Sequence, residues 1–189
     1  MAYASIIATL LKLLVGAFVL LAAPMADVAT AQSRPGPAAE FEGGWVGFAD
    51  DGIVSEGLVG GAVRLYVGPR LSVGPEVVYI HGNNHNHVVV TGNVTWDLLA
   101  ATNGRPHSIT PFFVLGAGVF RTREKFSSDP FASSEGAFTA GGGVRAAVGD
   151  RVTVGLAARI GWELHLRVSG LVGLRLGRFP RSRVDASSV

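Results

Sequence analysis

The chain has 189 residues, a formal net charge of +2, 16% charged residues and no cysteine. That length allows a single domain, and the missing cysteines exclude disulfides and thiolate metal sites. A small net charge, without a basic run interleaved with aromatics, excludes nucleic acid as a natural partner.

Residues 1–31 read as an export signal. Lys12 is the one cation ahead of an apolar stretch from Leu13 to Ala23, Pro24 ends that stretch, and Ala29-Thr30-Ala31 offers the small-x-small cleavage pattern. An uncleaved signal anchor is the alternative. Residues 32–40, with Pro35 and Pro37, are expected to form a linker, residues 41–179 the folded domain, and residues 180–189 a polar tail. Mean hydropathy is positive, yet beyond residue 31 no apolar run approaches the roughly 18 to 20 residues of a membrane helix.

From residue 41 the apolar content is spread by alternation, the period of a β-strand. Strands are expected at 41–49, 58–67, 71–80, 88–99, 109–121 and 136–148. The second sets Val59, Val63, Leu65 and Val67 against Arg64 and Tyr66. The third sets Leu71, Val73, Val77 and Tyr79 against Glu76. The fourth sets Val88, Val90, Val94, Trp96 and Leu98 against Thr91, Asn93, Thr95 and Asp97. Gly68-Pro69-Arg70, Asn103-Gly104 with Pro106, and Gly149-Asp150-Arg151 are turn signals. Residues 81–87 and 122–135 read as polar loops, the second being the longest polar stretch and the expected main surface for a partner.

Residues 151–177 alternate almost throughout. Even positions from Val152 to Leu176 are apolar, while the odd ones carry Arg151, Thr153, Arg159, Glu163, His165, Arg167, Ser169 and Arg175. This run far exceeds an ordinary strand of about 5 or 6 residues, so it must fold back. The apolar parity holds through both arms, so the connecting loop must contain an odd number of residues, three to five of them, centred on Glu163.

Eight strands with one apolar and one polar face make a closed barrel in one of two ways. In a soluble lipocalin-type barrel the apolar face points inward; in a membrane barrel it meets lipid. The polar face here is sparse and small, with Gly60, Ala62, Gly74, Gly141, Gly143, Gly155, Ala157 and Gly173, and lysine is nearly absent from the strands. Such a face suits the narrow interior of an eight-stranded barrel better than a water-facing surface. Arg64, Glu76, Asp97, Arg145, Arg159, Arg167 and Arg175 are then expected to form a polar network in the lumen, where buried arginine needs acceptors. Trp45, Tyr79, Trp96, Phe138 and Trp162 are expected at the membrane interfaces. The fold class expected is therefore all-β, a transmembrane antiparallel up-and-down barrel of eight strands.

No catalytic constellation emerges. His107-Ser108 lies at a turn and lacks an orienting acid, so it reads as a surface turn. His81, His85 and His87 in the segment HGNNHNH are weak candidates for a Zn²⁺ or Cu²⁺ site, and a solvated loop is the preferred reading. Gly141-Gly142-Gly143 sits inside an alternating strand with no helix after it, which is the wrong context for a phosphate loop. No cofactor is expected.

The segments Thr110-Pro111-Phe112-Phe113-Val114-Leu115-Gly116-Ala117-Gly118-Val119, Gly141-Gly142-Gly143-Val144-Arg145 and Gly74-Pro75-Glu76 resemble the small eight-stranded outer-membrane β-barrels, the OmpA/OmpX-like group of porin-family barrel domains. The resemblance spans residues 41–179. It implies a barrel in the outer membrane of a Gram-negative-type bacterium, with periplasmic termini. It also implies outer-membrane lipid and, during insertion, the outer-membrane assembly machinery as partners. The family commonly ends its last strand on a terminal aromatic; here Phe179 precedes Pro180 to Val189, so an insertion signal is expected to be internal. The expected role is non-enzymatic, structural or surface-interacting, with no surface partner identifiable. A narrow solute channel, an outer-membrane lipid-modifying enzyme and a soluble periplasmic barrel are the alternatives.

Overall fold

The computed structural model describes residues 35–49, 53–82, 85–100, 107–124, 131–149 and 151–176. The expected signal at 1–31, the internal Phe179 signal and the tail at 180–189 lie outside the described residues, as do the turn residues Asp50 to Gly52 and Asn103-Gly104 with Pro106. Eight strands are present: β1 (Ala38–Ala49), β2 (Ile53–Tyr66), β3 (Leu71–His81), β4 (His85–Asp97), β5 (Ile109–Glu124), β6 (Phe131–Val148), β7 (Val152–Gly161) and β8 (His165–Arg175). Each pairs antiparallel with the next, and β8 pairs with β1, closing the barrel.

The register fixes the barrel's shape. Partner by partner from Ala38, the path runs through Arg64, Gly74, Asn93, Gly116, Thr139, Gly161 and His165, and returns to β1 at Phe48, ten residues above its start. A stagger of ten over eight strands, at about 3.3 Å rise and 4.8 Å spacing, tilts the strands by roughly 40° and leaves a lumen that side chains fill. In such a tightly coiled wall, inward positions approach the neighbouring backbone. A Cβ at Gly118 would stand 1.9 Å from the Val90 carbonyl oxygen, so glycine is required there.

Several strand ends differ from the sequence reading, β2 among them, since it starts at Ile53 and not at 58. β1 starts at Ala38, inside the segment expected to be a linker, because Glu40-Phe41-Glu42 already alternates and pairs with both β2 and β8. β3 and β4 stay paired to His81 and Asn86, so residues 81–87 are mostly hairpin rather than loop. β5 and β6 pair out to Glu124 and Phe131. The stretch 122–135 is therefore largely a ladder, since Arg121, Thr122 and Arg123 face the short side chains of Ser134, Ser133 and Ala132, which a strand accommodates. The β6–β7 pairing begins only at Thr139, so the β5–β6 hairpin extends beyond β7.

The β7–β8 hairpin closes with Gly161 opposite His165, a three-residue loop of Trp162, Glu163 and Leu164. An odd loop preserves the facing of the apolar residues through both arms. It does so with positive φ at Glu163 (58°) and Leu164 (38°), a conformation that normally favours glycine or asparagine. The short connections at 67–70 and 149–151 lie at the same end as the chain's entry and exit strand ends. The β1–β2, β3–β4, β5–β6 and β7–β8 connections lie at the other end, called the loop end below.

Candidate functional site

Alternation determines what enters the lumen. Odd-numbered side chains of β7 and β8 point inward: Thr153, Ala157, Arg159, His165, Arg167, Ser169, Leu171 and Arg175 are buried, while Leu156, Ile160, Val168 and Val172 are exposed on the outer wall. All seven residues expected in the lumen network are inward and at most 8% exposed. Together with Glu40, Glu42 and Glu56 they place five arginines against five carboxylates among the described residues, a balanced interior.

These charges form two clusters. Near the termini, Arg145 donates through Nε to Glu40 Oε1 at 2.7 Å and through Nη2 to Oε2 at 3.1 Å, a two-pronged contact. Its Nη1 reaches Asp97 Oδ1 at 3.2 Å, and its guanidinium lies 3.5 Å from the centre of the Phe112 ring. Arg64 pairs with Glu40 at 2.9 Å and donates to the Tyr66 hydroxyl, which donates to Asp97 at 3.1 Å. Arg175 is buried beside them at the end of β8.

Halfway along the barrel, the odd loop of the β7–β8 hairpin puts Arg159 directly opposite Arg167. Two like charges in adjacent strands repel unless something is shared between them. Glu76 supplies this, accepting from Arg159 Nη1 at 2.6 Å and from Arg167 Nη2 at 2.7 Å. Asn93 donates to the same carboxylate at 2.8 Å, and Ser169 donates to Glu42 at 2.9 Å beside Arg167. A small apolar cluster of Phe112, Val114, Ala157 and Leu171 completes this part of the interior.

The loop end of the lumen is mainly apolar. Val46, Phe48, Leu58, Val78, Ile80, Val89, Phe120 and Ala137 form one buried cluster. The rings of His87 and His165 flank Phe48 at 5.4 Å and 5.2 Å, and His87 approaches Glu56 at 3.9 Å. Sequence reasoning missed this cap. Both parities of Val77 to Ile80 on β3 and of Val88 to Val90 on β4 are apolar, so no alternation tells inward from outward there. It also missed Glu40, Glu42 and Glu56, although the first two carried a signal in alternating with the exposed Phe41.

His81 and His87 do not come together. His81 is exposed on the outer face, where its ring stacks on Tyr79 and its Nδ1 meets Asn86 Oδ1 at 2.9 Å. His87 is buried in the lumen, with Nδ1 against Thr122 Oγ1 at 3.0 Å. The two lie on opposite faces of the wall because the hairpin pairs His81 with Asn86. The His85 side chain lies outside what is described; of the other two, His81 faces outward and His87 faces the lumen, so they do not share one site. His107 and Ser108 are both exposed at the terminus end, and the Ser108 carbonyl accepts from Ala147 N.

On the outer wall, Trp45, Tyr79, Trp96, Phe138 and Trp162 are all exposed. Phe138 and Trp162 meet edge-to-face at 5.9 Å, and Trp162 Nε1 donates to Glu135. Phe41 and Phe113, also exposed, join this set. Between the aromatics the wall is Val, Leu, Ile, Gly and Ala, a surface that water solvates poorly and lipid suits.

The chain matches no protein-family profile and no curated protein. Its structure is similar to that of Neisserial surface protein A, with a TM-score of 0.63 at 10% identity over 77% of this chain and 100% of that one. The N-terminal β-barrel domain of Pseudomonas aeruginosa OprF gives 0.58 at 11% identity, over 74% and 97%. Ail, the attachment invasion locus protein of Yersinia pestis, gives 0.52 at 11% identity, over 75% and 98%. These are small outer-membrane barrels of eight strands. The chain has their fold: a transmembrane, antiparallel, up-and-down β-barrel.

Proposed function

We propose that this protein is a non-enzymatic outer-membrane barrel of a Gram-negative-type bacterium, serving a structural or surface-interaction role and not the passage of solutes. Its termini face the periplasm, and the outer-membrane assembly machinery inserts it. The observation that carries this reading is the filled lumen. An ion entering from the terminus end meets five arginines and four carboxylates largely committed to one another, and then a mainly apolar cap of Phe48, Ile80, Val89 and Phe120, in which Glu56 lies beside His87. Leaving water for such a cap costs an ion far more than the lumen charges return, and water-filled channels belong to barrels of about 16 to 18 strands. The part that reaches furthest past its neighbours is the β5–β6 hairpin, which makes it the natural surface for a partner.

Fractionation with gel electrophoresis of unboiled and boiled samples tests the membrane reading. The expected result is recovery in the detergent-extracted fraction with a heat-dependent shift in mobility; a protein soluble without detergent overturns it. Planar-bilayer recording tests the closed lumen. No stable unitary current is expected, and a current altered by Arg159 or Arg167 substitution would establish the narrow-channel reading instead.

A further inference from the structure

The outer wall is almost free of charge, with two exceptions on one strand. Among the outward-facing strand residues described, Arg121 and Arg123 of β5 are the only Arg, Lys, Asp or Glu. Both are exposed, and neither has a carboxylate partner among the described residues. The outward apolar run on β5 goes from Ile109 through Phe113 and Leu115 to Val119. At about 3.3 Å per residue and a tilt of roughly 40°, those ten steps span about 25 Å, the height of a lipid-facing band. Arg121 is thus the first residue beyond the hydrocarbon at the loop end, and Arg123 follows about 7 Å further along the same face.

Their neighbours are polar and suited to an anion. Arg121 stands between Ser134 and Val88, and the same row continues to Tyr79. Arg123 pairs with Asn86, whose Oδ1 is taken by His81, so the Asn86 amide nitrogen adds a donor beside it. The nearest described acid on this hairpin, Glu135, pairs with the inward Phe120, and its Oε2 accepts from Nε1 of Trp162.

We propose that Arg121 and Arg123 form a docking site for phosphate-bearing lipid headgroups in the leaflet at the loop end. This rests on the membrane reading above, because only a wall embedded in lipid brings headgroups to this height. Two guanidinium forks on one face match phosphate oxygens in a way that lysine does not, and a cation at the interface gains attraction that falls with salt.

The test uses the full protein refolded into phosphatidylcholine vesicles, with and without lipid A or phosphatidylglycerol, and native mass spectrometry of the lipids it retains on extraction. Heat-shifted mobility first establishes that each variant is folded. Retention of the anionic lipid is expected to fall about five-fold for each arginine removed in Arg121→Ser and Arg123→Ser. It should fall little in Arg70→Ser and Arg151→Ser at the opposite end, and inorganic phosphate should not compete at concentrations that leave the lipid in place. Equal retention by the double variant overturns the proposal while leaving the membrane reading intact, as does an equal loss from the Arg70 and Arg151 variants or full displacement by inorganic phosphate. Failure of the parent protein to insert at all overturns both.

Discussion

In the half of the lumen near the termini and through its middle, Glu40 and Glu76 each hold two arginines at 2.6–3.1 Å. At the loop end, Val78, Ile80, Val89 and Phe120 fill the same tube by contact alone. Both halves fill the lumen, but their chemistry specifies different things. Apolar packing tolerates rearrangement provided volume is kept. A buried ion cluster does not, because a slipped register leaves charges without partners. A two-residue slip between β3 and β4 would keep every side chain on its own face, yet it would shift Glu76 two positions along the lumen relative to Arg159 and Arg167. The ionic half therefore selects the register, and the apolar half supplies closure.

The comparison breaks first at Glu76. Glu76→Ala leaves Arg159 and Arg167 opposite each other with no shared carboxylate, and should cost about 3–5 kcal/mol, read from urea unfolding in vesicles by tryptophan fluorescence. Phe120→Ala opens a cavity in the cap and should cost about 3 kcal/mol. The two are separable by conductance: the cap variant admits water at the loop end, yet the ion clusters below still block current. A stable current in Phe120→Ala would show that the cap alone closes the barrel. A loss in Glu76→Ala of under about 1 kcal/mol would show that the ion cluster does not select the register.

The smallest effect lies outside the lumen, on the β7–β8 loop. Burial, and then the nearby Glu135 carboxylate, hold Glu163 above the usual carboxylate range. A carboxyl with a raised folded value stabilises the fold when protonated, and that contribution is lost as the pH rises through it. Glu163→Gln should therefore raise the melting temperature near neutral pH, by an amount within about 0.5 kcal/mol because solvent screens this site. The difference from the parent should vanish in acid; a difference unchanged between the two pH values would sink this account.

Much of the barrel was legible because alternation is a one-dimensional signal. It marked β2, β3, β4, β7 and β8 and put Arg64, Glu76, Asp97, Arg159, Arg167 and Arg175 on one face. It failed where both parities were apolar, as on β5, and where glycines thinned the pattern, as at Gly43 and Gly44 on β1. It also undercounted the strands that run past the wall. Thr122 to Glu124 looked like loop because polar residues continue there, and only the ladder to β6 shows otherwise.

The sequence by itself determined the strand period, the odd-residue closing loop around Glu163, and the identity of the apolar outer face, all of which depend on neighbours within a few residues. Only the tertiary structure decided which acid meets which arginine. Glu40 and Arg145 lie 105 residues apart, and Glu76 and Arg167 lie 91 apart. Such pairs follow from a register carried around eight strands and closed between β1 and β8. The same closure turned Phe48 and Phe120 inward to seal the loop end, because a side chain's surroundings in a barrel are set by strands that its own sequence neighbourhood does not contain.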